Sequence, residues 1–208
     1  MKIEELERAL RQALEDPLPG MTAQSLMIPH PRIGHRVYKE VEDRCLRAGV
    51  LILFYPKDGR PHFVLTRRTD HLLHHQAQIS LPGGRQEEGE SFEQTALREA
   101  CEELGLASGK ITVLGRTTPL YIPPSNYCIY PVVAVAFENQ VFHPAEEEVA
   151  EVIEMPVVRL IDPKTVRHET WTLRGEPVRV PFFFFKGFKI WGATAMVLAE
   201  MKEILRGI

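Results

Sequence analysis

Residues 91–105 constrain this chain more than any other stretch, because they carry both ends of a helix. Ser91 is followed three residues later by Gln94, the spacing of a capping box at a helix N-terminus. Gly105 stands where a left-handed residue commonly ends a helix. Between these ends, apolar side chains recur at the i, i+3, i+4, i+7 spacing of one buried stripe: Leu97, Ala100, Cys101 and Leu104. We therefore predict a helix that packs on a core through this stripe.

Three carboxylates, Glu99, Glu102 and Glu103, follow helical spacing on the opposite side of the predicted helix. Like charges at this spacing repel each other by about 0.2–0.5 kcal/mol per pair. Two interpretations stay open, an acidic face solvated by water and a cluster that binds a cation. Gly83 and Gly84 precede the helix, and glycine lets main-chain atoms approach a ligand closely. A carbonyl beside three carboxylates is an all-oxygen set that suits Mg²⁺ or Mn²⁺.

Length and charge exclude several classes of function. At 208 residues the chain is long enough for one domain with a sizeable core. A formal net charge of −3 favours neither a nucleic-acid partner nor an anionic membrane. No apolar run approaches the roughly 18 residues of a membrane span, and the charged start does not resemble a signal peptide. Cys45, Cys101 and Cys128 lack metal-ligand spacing, so we predict reduced, packed thiols in a cytoplasmic protein.

Further elements are predicted on both sides of the central helix. They are helices over residues 2–16, 37–46 and 191–205, hairpins that turn at 57–59 and 174–175, and an extended segment over 75–82. Additional apolar runs after the central helix predict more strands. This order of elements favours an α/β fold in which a mixed sheet lies between helices.

The central segment matches a family signature. From Gly84 the chain reads GRQEEGESFEQTALREACEELGL. Gly84, Glu90 and the run 98–106 occupy every fixed position of the pattern G-x5-E-x7-R-E-U-x-E-E-x-G-U, where U is aliphatic and Ala100 is a small U residue. This pattern resembles the Nudix box. The resemblance implies a Nudix-like α/β/α sandwich around a mixed sheet, and an enzyme that hydrolyses nucleoside diphosphates linked to a further group.

The resemblance also implies roles for individual residues. It implies metal ligands for Mg²⁺ or Mn²⁺ from the helix and the turn before it: Gly83, Glu99, Glu102 and Glu103. Glu90 and Arg98 are expected to form an ion pair that orients the helix, the alternative being an incidental surface pair. A divalent cation at such a site makes water more acidic and neutralises charge that develops on phosphate oxygens.

A carboxylate is needed to accept the proton of the attacking water. Glu99 and Glu103 are candidates within the helix. A second group of candidates lies further along the chain: Glu146, Glu147, Glu148 and Glu151. We favour Glu148 within this group, and the alternative is a solvated run of charges.

The stretch before the box indicates the substrate. FVLTRRTDHLLHHQAQISLPGG resembles the element found there in coenzyme A pyrophosphatases, roughly L-L-T-x-R-x3-L-R-x-H-x-G-Q-V-x-F-P-G-G. The matching positions are Leu65, Thr66, Arg68, Leu72, His75, Gln78, Ile79, Pro82, Gly83 and Gly84. Three positions depart from the pattern: Leu73 replaces arginine, Ala77 replaces glycine and Leu81 replaces phenylalanine. We expect substrate contacts from Gln78 and from Arg67 or Arg68, which alternate across a strand.

The subfamily resemblance spans residues 50–205 and leaves a helical extension, 1–35, before a Nudix domain over 36–208. It implies cleavage of coenzyme A or an acyl-coenzyme A. From its position in the chain, the proline-rich loop 121–127 is expected near the site, where it could contact the pantetheine arm. The products would be adenosine 3′,5′-bisphosphate and a 4′-phosphopantetheine compound. The alternatives are ADP-ribose or another nucleoside diphosphate derivative as substrate, and a catalytically idle module that binds a ligand. A small nucleotide is the expected partner, nucleic acid and membranes are not, and both a monomer and a homodimer fit.

Overall fold

A computed structural model describes residues 1–31, 38–69 and 78–208. Its α-helices are α1 (Ile3–Glu15), α2 (Gly20–Gln24), α3 (Phe92–Leu104), α4 (Val157–Ile161) and α5 (Gly192–Arg206). Its strands are β1 (Leu46–Lys57), β2 (Arg60–Arg68), β3 (Ile79–Ser80), β4 (Gly83–Arg85), β5 (Thr112–Arg116), β6 (Leu120–Ile122), β7 (Tyr127–Val135), β8 (Val149–Pro156), β9 (Val166–Leu173), β10 (Glu176–Phe185) and β11 (Phe188–Ile190).

The strands form two sheets. The larger has the order β3-β2-β1-β7-β5, with β4 beside β1, β6 beside β7 and β8 beside β2. The central pair β1–β7 is parallel and the other pairs are antiparallel, so this sheet is mixed. The smaller sheet, β9–β11, is antiparallel. The predicted α/β fold around a mixed sheet is confirmed.

Strand β1 separates two layers of core. Leu51 and Leu53 face the stripe of α3, where Ala96 and Ala100 are fully buried. Residues of β1 between them, such as Ile52, point to the opposite face and pack with α1 and α5. This alternation follows from the two-residue period of a strand, and both faces are apolar because helices cover both.

Two glycines bring the elements of the site together. Gly49 of β1 lies directly under α3, and a Cβ there would stand 2.7 Å from the carbonyl oxygen of Phe92. Gly83 begins β4 with a φ of 148° and pairs with Val50, whose backbone a Cβ on Gly83 would overlap. Only glycine satisfies both the close approach and the positive φ. As a result β4 lies beside β1 and next to α3.

The N-terminal segment packs on the same core. Leu6 and Leu10 of α1 are fully buried in the layer that contains α5. The buried carboxylate of Glu200 on α5 accepts hydrogen bonds from the amide of Gly20, at 3.0 Å, and from the side chain of Gln24, at 2.9 Å. The segment is therefore tied to the sheet domain by burial and by hydrogen bonds, while the boundary between extension and domain stays a prediction.

Local predictions for the central helix and the hairpins are confirmed. The hydroxyl of Ser91 accepts from the Gln94 amide at 3.2 Å, and the side chain of Gln94 accepts from the Ser91 amide at 2.7 Å. Gly105 ends the helix with a φ of 65°. The hairpins turn at residues 58–59 and 174–175, as predicted.

Two other predictions need correction or fall outside the structure. The helix predicted over 37–46 is wrong: residues 38–40 form one 3-10 turn, and β1 begins at Leu46. In the predicted extended segment, residues 79–80 form β3, whereas residues 75–77 lie outside the described residues. In the described part of the chain no helix is long and apolar enough to cross a membrane.

The prediction of three reduced thiols is also wrong. Cys45 and Cys128 form a disulfide with an S–S distance of 1.95 Å, and Cys101 is the free thiol. The parallel pairing of β1 with β7 sets Leu46 opposite Tyr127, which brings the neighbouring cysteines to a Cα–Cα distance of 5.7 Å. Their separation of 83 residues along the chain hides this contact from any local pattern.

Candidate active site

The main chain of β4 meets the carboxylates of α3. Gly84 lies so close to α3 that a Cβ on it would overlap the carboxylate of Glu99. The amide of Gly83 donates to the carboxylate of Glu103 at 3.3 Å. The turn that carries the two glycines is therefore in contact with two of the three carboxylates predicted to act together.

Glu103 is the most deeply buried of these carboxylates. Its exposed fraction is 3%, and the nearest cation is Arg68, whose Nη1 lies 3.7 Å from its carboxylate oxygen. Burial raises the pKa of Glu103 to about 7, and Arg68 and the Gly83 amide only partly oppose that effect. The negative charge of Glu103 is thus poorly compensated by protein groups.

Burial also raises the pKa of Glu99, and the Arg98 guanidinium opposes the rise. The charge of Glu148 contributes to the raised pKa of both Glu99 and Glu103. Glu148 reaches this position from the loop before β8, where its carbonyl accepts from the Thr69 amide at 3.1 Å. The structure therefore places the exposed Glu148 near enough for its charge to act on the partly buried Glu99 and the buried Glu103.

Glu102 is placed differently from its two neighbours. Its side chain is 60% exposed and lies 3.1 Å from Nη1 of Arg98. Among the described residues, no three acidic, histidine or cysteine side chains are arranged to hold a metal ion. The predicted convergence of Glu99, Glu102 and Glu103 on one point is therefore not present.

The donor set nevertheless fits a hard divalent cation. Every candidate ligand is an oxygen atom, from a carboxylate or from the Gly83 carbonyl. Glu99 and Glu103 are carboxylates whose charged forms are destabilised by burial. A cation beside them would remove that cost.

Arg98 connects the helix to the segment before it. Its Nε and Nη2 donate to the two carboxylate oxygens of Glu90 at 2.7 and 3.2 Å, and Nη2 also donates to the Arg85 carbonyl at 3.2 Å. The guanidinium lowers the pKa of Glu90 to about 2. Since Arg98 also contacts Glu99 at 3.0 Å, one cation offsets much of the repulsion along this face.

A large cavity opens beside β4, the strand that contacts the carboxylates of α3. Its volume is about 1060 Å³, and its lining near β4 includes Gly83, Gly84, Arg68 and Gln78, whereas no residue of α3 is in the described lining. Arg67 is not in the lining, and its Nε lies 3.6 Å from the carboxylate of Glu151. Of the residues predicted to contact the substrate, Arg68 and Gln78 line the cavity and Arg67 does not. Part of the element that resembles coenzyme A pyrophosphatases lies outside the described residues. This part includes its matching residues 72 and 75 and its departures at 73 and 77.

The rest of the lining is mostly apolar, and the sequence indicated only part of it. The loop 121–127 contributes several residues, as expected from its position. The unexpected contributors are Ile28 and Pro29, Arg85, Leu173 and Arg174, and the start of α5 at Trp191. These residues come from separate segments and share no motif, so only the folded chain brings them together.

Comparisons with known proteins agree with this geometry. The model of the NUDIX domain matches residues 46–174. A protein called uncharacterized Nudix hydrolase NudL, from Yersinia pestis strain Pestoides F, is 32% identical over 183 residues, which cover 86% of this chain and 89% of the relative. Its namesake from Yersinia pseudotuberculosis serotype O:1b has the same identity and coverage. The crystal structure of a Nudix hydrolase from M. smegmatis, RenU, aligns with a TM-score of 0.54 and 22% identity over 78% of this chain and 87% of that chain, and shows a shared fold.

Proposed function

This chain belongs to the Nudix family, and we propose on that premise that it hydrolyses the diphosphate bond of coenzyme A or an acyl-coenzyme A. It is a Nudix pyrophosphohydrolase that acts on a nucleoside diphosphate derivative. The proposed products are adenosine 3′,5′-bisphosphate and 4′-phosphopantetheine, which carries the acyl group when the substrate is an acyl-coenzyme A.

The observation that carries this proposal is the cavity. It joins the two glycines and Arg68, where a diphosphate would lie, to a long and mostly apolar wall that includes residues 121–127. Its volume of about 1060 Å³ is slightly above the range of ordinary ligand sites, which measure roughly 300–1,000 Å³. A pantetheine arm is long and largely uncharged, so it suits such a wall. Arg68 and Gln78 in the lining also belong to the sequence element that resembles coenzyme A pyrophosphatases.

Nudix hydrolases use divalent metal ions, and we propose Mg²⁺ or Mn²⁺ for this one. The proposed ligands are Glu99, Glu102, Glu103 and the Gly83 carbonyl. When bound, the cation would supply positive charge at the diphosphate and increase the acidity of water. The exposed Glu102 must turn from Arg98 toward the cavity to take part, which its position on the surface permits.

The remaining roles follow from positions of side chains in the chain itself. We propose that Glu148 accepts the proton of the attacking water, because its charge contributes to the raised pKa of both Glu99 and Glu103. Arg68 is proposed to hold the diphosphate through its guanidinium. Glu90 and Arg98 orient the carboxylates of α3, as their two-point contact suggests. We retain the prediction of a protein without nucleic-acid or membrane partners. A cytoplasmic location stays a prediction, although the Cys45–Cys128 disulfide removes the reduced thiols on which it was based.

A substrate panel tests the proposal. Purified protein is incubated with Mg²⁺ or Mn²⁺ and, separately, with coenzyme A, acetyl-coenzyme A, ADP-ribose and NADH, and the products are identified by mass. We expect adenosine 3′,5′-bisphosphate and a phosphopantetheine compound, at a rate well above turnover of the other two compounds. AMP and ribose phosphate from ADP-ribose as the main reaction would overturn the substrate and keep the reaction type. Ligand binding without turnover under either metal would favour an idle binding module.

A further inference from the structure

The turn between β9 and β10 places an arginine in the cavity wall. Arg174 and Gly175 form this two-residue turn, and Leu173 and Arg174 both line the cavity. Arg174 is exposed, and its side chain makes no ion pair or hydrogen bond with any described residue. Its guanidinium therefore has all its donors available to a ligand.

The other cations in the lining belong to the larger sheet. Arg68 lies 3.7 Å from the carboxylate of Glu103, and Arg85 belongs to β4 beside α3. Arg174 is the charged residue that the smaller sheet contributes to the described lining. Apolar residues such as Trp191 and Met196 share the lining with these cations. The cavity thus offers positive charge from both sheets, on β2 and β4 of the larger sheet and on the β9–β10 turn of the smaller one.

The strand ends that carry this turn are fixed by packing and by strand pairing. Trp171 of β9 packs edge-to-face against Trp191, with ring centroids 5.1 Å apart, and Trp191 itself lines the cavity. Leu173 pairs with Glu176 across the hairpin, which sets the direction of the turn. A cation on a braced turn loses less conformational freedom on binding than one on a free loop.

We propose that Arg174 binds a phosphate monoester of the substrate that is separate from the diphosphate. A guanidinium pairs with phosphate through two parallel hydrogen bonds, and a mostly apolar wall screens that charge less than bulk water does. The identity of this group rests on the proposed function: in coenzyme A it is the 3′-phosphate of the ribose. Arg174 is then a residue that determines specificity, because ADP-ribose and NADH lack this group.

The chain offers a matched control for a substitution at this position. Arg174 has a φ of 55°, a left-handed conformation that asparagine adopts with little strain. Lys186 occupies the equivalent position in the turn between β10 and β11, with a φ of 48°, and does not line the cavity. Arg174→Asn and Lys186→Asn therefore remove the same charge from similar turns, one inside the cavity and one outside it.

Two measurements test the assignment. The first is the ratio of kcat/KM for coenzyme A to that for 3′-dephospho-coenzyme A. The second is the ratio of the affinities for adenosine 3′,5′-bisphosphate and AMP, measured by calorimetry. We expect Arg174→Asn to lower both ratios by about tenfold or more, as for loss of a charge-assisted hydrogen bond. Lys186→Asn is expected to keep the wild-type ratios, and Arg174→Lys to recover part of the loss.

The two measurements separate this inference from the proposed function. If coenzyme A is not a substrate but Arg174→Asn still lowers the preference for the bisphosphate, the inference holds and the substrate is wrong. If coenzyme A is cleaved but Arg174→Asn leaves both ratios at the wild-type value, the function holds and the inference is overturned. A wild-type protein that binds AMP and the bisphosphate equally also overturns the inference.

Discussion

The amide of Gly83 donates to the carboxylate of Glu103 at 3.3 Å and so joins the turn of β4 to the helix α3. This contact exists because the two glycines of the turn let the main chain reach the helix. It also places a buried carboxylate where protein cations compensate it poorly, since Arg68 approaches only to 3.7 Å. A region that destabilises its own charge is suited to bind a cation.

The stability of the metal-free protein should depend on pH through Glu103. Its pKa rises from 4.5 to about 7 on folding, so the folded state holds a proton that the unfolded state has released between these values. Stability from this group is therefore present below pH 4.5 and is lost as the pH rises to 7, by roughly 3 kcal/mol. Urea unfolding at pH 5 and pH 8, with a chelator present, measures the difference.

Glu103→Gln should remove most of this pH dependence, whereas Glu146→Gln, on the exposed loop before β8, should preserve it. Added Mg²⁺ or Mn²⁺ should restore stability at pH 8 in the wild type and in the Glu146→Gln variant, but not in the Glu103→Gln variant. An unchanged pH dependence in Glu103→Gln would show that the carboxylate titrates normally.

Glu102→Gln should separate activity from stability. The side chain is 60% exposed and contacts Arg98, so its loss should change the free energy of unfolding by less than about 1 kcal/mol. As a proposed metal ligand, it should nevertheless be needed for turnover, and we expect kcat to fall by about a hundredfold or more. Rates are compared with those of Glu138→Gln, which removes the charge of another exposed glutamate, one that pairs with Lys110. Near-full activity of Glu102→Gln would disprove the metal assignment.

Glu148→Gln should lower kcat more than it weakens activation by metal. The charge of Glu148 acts on Glu99 and Glu103, yet we assign it the role of proton acceptor and not that of ligand. We expect kcat to fall by about 10²–10⁴-fold, as is common for loss of a general base. Titrating activity with Mg²⁺ gives both quantities, and Glu147→Gln is the neighbouring control. A changed metal requirement with unchanged kcat would make Glu148 a ligand instead.

The Glu90–Arg98 pair should be coupled more strongly than a surface ion pair. The two side chains are 18% and 24% exposed and meet through two hydrogen bonds. A double-mutant cycle with Glu90→Gln and Arg98→Lys should therefore give a coupling energy above about 1 kcal/mol, the usual limit for exposed pairs. Both single variants should also lower kcat, because Arg98 contacts Glu99. A coupling energy near zero would identify the pair as incidental.

Predictions based on neighbouring residues succeeded. The ends of α3 were predicted from Ser91, Gln94 and Gly105 because a capping box and a left-handed cap involve hydrogen bonds within a few residues. Two hairpin turns were predicted correctly for the same reason. The helix predicted over 37–46 failed: this stretch forms a 3-10 turn and then leads into β1 at Leu46, and its buried Val41 packs with Cys128 and Tyr130 of β7, contacts that lie far apart in the sequence.

Helical periodicity grouped Glu102 with Glu99 and Glu103, but burial separates them. Each helical residue turns by about 100°, so adjacent glutamates face different surroundings. Glu103 points to Gly83 and is 3% exposed, whereas the side chain of Glu102 is 60% exposed and points to Arg98. Only the approach of β4 decides which of them is buried, and that approach depends on pairing between β4 and β1.

The sequence by itself determined the reaction class and the local frame of α3, because the Nudix signature and the caps of this helix lie within one short segment. The tertiary structure decided which side chains share a cavity and which cysteines share a bond. Arg174 and Arg68 line one cavity although their elements belong to different sheets, and Cys45 meets Cys128 across 83 residues. The physical reason is that caps and turns form through contacts between near neighbours, whereas strand pairing and burial depend on the packing of the whole chain.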